Sequence, residues 1–196
     1  MGAPVERTRV RRLPDKQVRD RAALHGVLDA GLVAHVAFVH DGHPFAIPVA
    51  YARDADTVLF HGSTGSRLFR LLAEGAPCCL SVTLLDGLIL ARSAFEASMR
   101  YRSAMVLGAC SVVEDQVPAL RTISEHLTPG RWEQIRPPSR KELAATLVLA
   151  LPLEEWSLKV SDGWPETSDE DAGWSPPTGV IPIRTVRDEF IEGESS

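Results

Sequence analysis

The hydrophobic positions of this chain fall into about seven short β-runs, interrupted by three stretches with helical spacing. Residues 32–40 and 43–51 read as two strands. Asp41-Gly42 joins them, a dipeptide that suits a two-residue type I′ hairpin. A third run, 57–61, follows the polar turn Arg53-Asp54-Ala55-Asp56. Residues 78–85 set Leu80, Val82 and Leu84 against Ser81 and Thr83, as a half-buried strand does. Runs at 104–113, 146–151 and 156–160 continue the pattern, and 180–183 has the look of a short edge strand. Helical spacing predicts one helix over 15–30 (Val18, Ala22, Leu24, Val27, Leu28) with Gly31 at its C-cap. It predicts a second from Ser66 to Glu74-Gly75 through Leu68, Leu71 and Leu72. A third carries Val117, Leu120, Ile123 and Leu127 and stops at Pro129-Gly130. Residues 130–141, with Arg131, Trp132, Pro137 and Pro138, read as loop. No strand–helix–strand alternation is present, so the expected class is α+β, mainly antiparallel, arranged as a small barrel with a few peripheral helices.

Length and charge narrow the function. The chain has 196 residues, enough for one domain with extensions. The expected division is an Arg-rich arm over 1–14, a barrel over 15–161 and an acidic extension rich in Pro, Gly and Trp over 162–196. A net charge of −5 argues against general nucleic-acid binding. No apolar run is long enough to span a membrane, and the N-terminus lacks the apolar core of a signal peptide. Cys78, Cys79 and Cys110 make no disulfide framework and no C-x-x-C pair. A cytoplasmic protein with reduced thiols is expected. His35, His40 and His43 cluster near one hairpin, but no cysteine or carboxylate completes a tetrahedral set, so no metal site is expected.

Candidate chemistry concentrates in the stretch 57–70. A β-run passes through His61-Gly62-Ser63-Thr64-Gly65 into the helix that starts near Ser66, which brings backbone N–H groups, hydroxyls and a positive helix end together. Arg67 and Arg70 add guanidinium groups suited to phosphate. An anion site and a plain strand-to-helix turn capped by Ser66 are both compatible with these residues. The lysine-bearing P-loop, the G-x-G-x-x-G fingerprint and the G-x-S-x-G elbow are all absent. Residues 91–103 hold three arginines, several hydroxyls and Tyr101 between two predicted strands. Arg102 and Ser103 could reach the same anion if those strands lie beside the first stretch.

Taken in order, three segments resemble the pyridoxamine 5′-phosphate oxidase-like, flavin-nucleotide-binding family. They are Ile47-Pro48-Val49-Ala50-Tyr51, the turn Phe60 to Arg67, and Ser98-Met99-Arg100-Tyr101-Arg102-Ser103 with the strand that follows. The likeness covers roughly residues 15–160, and Trp156 to Gly163 resembles the family's late strand. It implies a split β-barrel that forms a homodimer with FMN at the subunit interface. On the family's pattern Pro48, Val49, Ala50 and Tyr51 would line the flavin ring, and His61, Gly62 and Ser63 would border the ribityl chain. Ser66 and Arg67 would take the phosphate with help from Tyr101, Arg102 and Ser103. Lys159, Trp164 or Trp174 would cover the ring. The implied activity is FMN-dependent oxidation or reduction of a small molecule, with His61 as the one candidate proton donor. The acidic 162–173 segment departs from vitamin B6 oxidases, and the chain looks closer to nitroimidazole-resistance-type reductases. Three alternatives stay open: the same barrel with deazaflavin F420, which the Arg7–Arg12 cluster could serve; haem, with His25, His35 or His61 as axial ligand; or a flavin-binding module without turnover.

Overall fold

The computed structural model describes residues 6–193. The chain divides into two compact units, one from the described residues up to Leu84 with Arg102–Val160, the other from Leu85–Tyr101 with the residues after Val160.

In the first unit the strands β1 (Gln17–Val18), β2 (Val33–His40), β3 (His43–Asp54) and β4 (Thr57–Ser63) are followed by β5 (Pro77–Leu90) and β6 (Ser98–Ala109), whose outer parts belong to the second unit. β7 (Ser111–Val112), β8 (Thr146–Pro152) and β9 (Glu155–Ser161) complete the set. They follow the order β1-β9-β6-β5-β2-β3-β4-β8-β7, and among the described residues the two ends do not pair with each other. This is the split, unclosed antiparallel sheet expected of an α+β barrel. Asp41 and Gly42 both take positive φ (50° and 76°), the geometry of the type I′ turn, and set the register His40↔His43 through Val33↔Ala50.

Alternation sorts the side chains. Val49 and Tyr51 of β3, Val58 and Phe60 of β4, and Leu80 and Val82 of β5 face a core closed by Leu24 and Leu28 of α1 (Arg21–Ala30) and by Leu68, Phe69 and Leu72 of α2 (Arg67–Ala73). On the opposite side, α3 (Gln116–Leu127) lays Ala119 and Ile123 over Ala52, Leu59 and Val148, a second small core.

Several expectations change. The first helix starts at Arg21, not near residue 15, because the Asp20 carboxylate caps the N–H groups of Ala22 and Ala23. Gly31 does end that helix, but in extended backbone (φ −81°) and not in the left-handed cap. A Cβ there would sit 2.6 Å from the Tyr51 hydroxyl, so close packing is what requires glycine. Residues 98–103 lie on β6 itself instead of in a connection between strands, and the predicted run 104–113 is broken at Cys110. The loop over 130–141 holds the start of a short helix, α4 (Arg140–Ala144), fixed by a capping box between Ser139 and Glu142. In the N-terminal arm Thr8 is buried, and Arg7 makes a two-pronged ion pair with Glu155 (2.5 and 2.7 Å). Arg11 pairs with Glu6. Two of the four arginines of the basic cluster are thus engaged in ion pairs.

In the second unit β10 (Gly179–Pro182) pairs antiparallel with the outer part of β5, from Gly179↔Leu90 to Pro182↔Gly87, as the edge-strand reading anticipated. A Cβ at Gly87 would meet the Ile181 carbonyl oxygen at 2.9 Å, so this close crossing needs glycine. The Arg100 guanidinium lies over the Trp164 ring (4.7 Å) and donates to the Gly163 carbonyl oxygen (2.9 Å).

Candidate functional site

Strand pairing brings Pro48 and Ala50 onto one face of the sheet with His35 and Val33, their partners on β2. His35 in turn pairs with Ser81 of β5, and Thr83 Oγ1 lies 3.1 Å from Ser103 Oγ of β6. Pro48, Ala50 and Ser103 therefore share a face lined with hydroxyls. Val49 and Tyr51 turn the other way into the core and can touch a ligand only through backbone. Tyr51 is structural as well: its hydroxyl donates to the Leu28 carbonyl oxygen at 2.6 Å, and burial pushes its pKa up.

The turn after β4 holds itself together. Gly65 N–H donates to Ser63 Oγ (3.1 Å) and Thr64 N–H to the Ala145 carbonyl oxygen (3.0 Å). A Cβ at Gly62 would lie 2.2 Å from the Phe69 ring, so this glycine exists to let α2 fold back against β4. Ser66 stands at the N-cap of α2 with no side-chain cap bond, and its hydroxyl is open among the described residues. Arg67 is exposed and has no carboxylate partner among the described residues. Its guanidinium lies 4.7 Å from the centre of the Phe45 ring on β3, on the side of that strand that Val49 and Tyr51 share and opposite to Pro48 and Ala50. A held but unneutralised guanidinium beside an open hydroxyl fits a phosphate. Arg102 and Lys159 are half-buried in the same unit. Tyr101, Trp164 and Trp174 belong to the second unit, where Trp164 and Trp174 are exposed.

His61 leads somewhere else. It follows Leu59 on the α3 side of β4 and opens on a cavity of about 500 Å³. Leu120, Ile123 and Leu127 of α3 form one wall, with Trp132, Ile135 and Pro138 of the following segment opposite. That segment is pinned at both ends. The Glu125 carboxylate accepts from Gly130 N–H (2.6 Å) and Trp132 N–H (2.9 Å), while Glu142 holds Arg136 by two bonds (2.8 and 2.6 Å). These contacts hold both carboxyls below their usual pKa. His61 is itself exposed; no described residue hydrogen-bonds its ring, and partial burial of the ring lowers its pKa. At neutral pH it is a neutral imidazole with a free nitrogen. The other two nominal haem ligands are placed differently: His25 bonds Asp56 (3.1 Å), and His35 stands on the open sheet face. His40 and His43 are cross-strand neighbours as expected, and no metal-holding cluster exists among the described residues.

The cavity escaped sequence reasoning because its walls lie about 60 to 80 positions after His61. Its one local signal was Trp132 and Ile135, large apolar residues in a segment that otherwise read as loop.

The split antiparallel barrel defines the class of protein. The comparisons agree. Residues 20–160 match the family model described as pyridoxamine 5′-phosphate oxidase, and the chain belongs to that flavin-binding family. It is similar to the FAD and haem binding protein of Mycobacterium smegmatis at 45% identity and TM-score 0.87, over 91% of this chain and 89% of that one. It is also similar to the flavocytochrome Anf3 of Azotobacter vinelandii at 38% identity and TM-score 0.90, over 98% and 92%. A candidate 5-nitroimidazole antibiotic resistance protein of Bacteroides thetaiotaomicron shares the fold at 21% identity and TM-score 0.63, over 74% and 86%. No curated protein matches. Where the sequence pointed to FMN, the names of the two nearer relatives carry FAD, haem and flavocytochrome. No helix among the described residues is long and apolar enough to cross a membrane.

Proposed function

We propose that this chain is a flavin-dependent redox protein with a second, haem-binding centre in the His61 cavity. Ser66 and Arg67 hold the flavin phosphate, and the face carrying Pro48, Ala50 and Ser103 lies against the rest of the flavin. That phosphate is common to FMN and FAD. The Mycobacterium smegmatis relative, named for FAD, favours FAD, and released flavin decides between them. Bound flavin supplies hydride or electron-pair transfer; the chain supplies position and charge.

The observation that carries the haem half is the unpartnered imidazole of His61 in an apolar-walled cavity of about 500 Å³. A neutral ring nitrogen is the form that ligates iron, and its lowered pKa suits a ligand better than a proton donor. The volume falls within the range usual for cofactor pockets, about 300–1,000 Å³. Trp132, Ile135, Leu120 and Leu127 would exclude water from an apolar planar group. His25 is engaged by Asp56 and His35 does not line the His61 cavity, while the ion pairs of Arg7 and Arg11, two of the four N-terminal arginines, weigh against deazaflavin. The exposed apolar residues Val33, Val39 and Met105 support a homodimer as the assembled form.

Reconstitution with FMN, FAD and haem tests this. Bound protein is expected to show flavin bands and a Soret band, and His61→Ala to lose the Soret band while keeping flavin. Flavin uptake without haem would remove the second centre and leave a simple flavin oxidoreductase. No flavin uptake would sink the whole reading. Light scattering at the mass of one chain would exclude the dimer.

A further inference from the structure

Two of the three cysteines meet. Cys78, near the start of β5, and Cys110, the residue between β6 and β7, hold their sulfurs 3.9 Å apart although they are distant in sequence. Both are free thiols, only 6% and 8% exposed. Cys79 points the other way: it pairs with Ala37 on the open sheet face and is half-buried. Exposure alone therefore favours reaction at Cys79, whereas geometry favours the buried pair.

We propose that Cys78 and Cys110 form a redox-modification site, oxidised to a disulfide by a hydroperoxide. A disulfide needs its sulfurs about 2.0 Å apart, so they must close by roughly 1.9 Å, a distance within reach of side-chain rotation. The site is not sealed, and Cys110 sits at a break in the strands, where local opening admits a small oxidant. The contact between the thiols favours the thiolate on Cys78 and, together with burial, pushes Cys110 up, which makes Cys78 the attacking sulfur. It attacks one peroxide oxygen and becomes a sulfenic acid as water or an alcohol leaves. The Cys110 sulfur then displaces that hydroxyl, which departs as water with the Cys110 proton. Two thiols lose two protons and two electrons, and one hydroperoxide gains them.

The bond would pull where it matters to the cavity. From Cys110 the chain enters β7, where Ser111 pairs with Ala150 and Val112 with Leu149 of β8. Val113 N–H donates to the Val148 carbonyl oxygen (2.9 Å), and the Gln116 side-chain amide to that of Thr146 (3.0 Å). Gln116 opens α3, whose Leu120, Ile123 and Leu127 wall the His61 cavity. The thiol state of the pair is thereby coupled to the position of that wall. The inference does not depend on which cofactor the cavity takes.

The test treats the full-length protein with hydrogen peroxide, then alkylates, denatures and maps peptides by mass. The expected product has lost two hydrogen masses, contains one Cys78–Cys110 cross-linked peptide, keeps Cys79 alkylatable and reverts with dithiothreitol. Cys110→Ser should abolish the cross-link, and Cys78→Ser should do the same should one variant fold poorly. Three alkylatable thiols, oxidation at Cys79 alone or a link through Cys79 would overturn the site. Hydrogen exchange of the α3 amides should change severalfold on oxidation of the wild type and not in Cys110→Ser. A cross-link without that change would overturn the coupling to the cavity.

Discussion

Arg67→Ala is the sharpest probe of the flavin reading, because the structure isolates what the side chain can lose. Among the described residues its guanidinium has no carboxylate to leave behind, and it rests over the Phe45 ring. An exposed cation–π contact contributes about 0.5–1 kcal/mol, a loss that falls on folding. A charged hydrogen bond to a phosphate contributes about 1.5–3 kcal/mol, a loss that falls on binding. At about 1.4 kcal/mol per factor of ten, the flavin dissociation constant should rise roughly 10- to 150-fold. Fluorescence titration of the variant with FMN and FAD should show this rise for both. Riboflavin, which lacks the phosphate, should bind wild type and variant alike. An unchanged FMN affinity, or an equal loss with riboflavin, would refute the placement of the phosphate.

Two further outcomes follow from the same strand and turn. Gly62→Ala drives a methyl group to 2.2 Å from the Phe69 ring in the core, and should cost about 1–3 kcal/mol in chemical denaturation. Unchanged stability would show that α2 is free to shift away. The His61 ring should titrate below about 6.5, the ordinary imidazole value, when followed by proton NMR; titration at or above that value would refute the desolvation. The sign for folding follows: the unfolded ring takes up a proton more readily, so this group's contribution is full above about pH 6.5 and declines as pH falls toward the folded pKa.

What the sequence disclosed, it disclosed through local rules. Asp41-Gly42 fixed a hairpin because two successive positive φ angles suit few other residues, and β4, α2 and α3 follow from short-range periodicity. The failures have a common cause. Alternation carries residues 98–103 along β6, but Arg100 and Arg102 masked the strand, which lies between the preceding β5 and the distant β9. The helix at 140–144 was announced by Ser139-x-x-Glu142, a real capping signal placed after two prolines that suggested loop. At Gly31 and Gly62 the reason for glycine is a distant aromatic side chain, Tyr51 or Phe69, which no local pattern contains. The proposed Ser66–Arg67 site could be named from sequence because its residues are consecutive. The His61 cavity was not, since one strand residue had to meet a helix and a loop far along the chain.

β4 and the turn after it join these themes. Phe60 points into the main core, His61 points out to the cavity under α3, Gly62 admits Phe69, and Ser63 anchors the turn that delivers Ser66 and Arg67. Only six residue steps separate His61 from Arg67, so their backbones lie no more than about 22 Å apart even if the link were fully extended. The bend at Gly65 and the packing of Phe69 back over Gly62 shorten that path. A flavin held at one end and a haem at the other would therefore share a single rigid strand-to-helix unit, with no hinge between them. A short antiparallel barrel would in this way suffice for both groups: neighbouring residues on one strand face opposite sides of the sheet, and the chain would need only one turn to serve both.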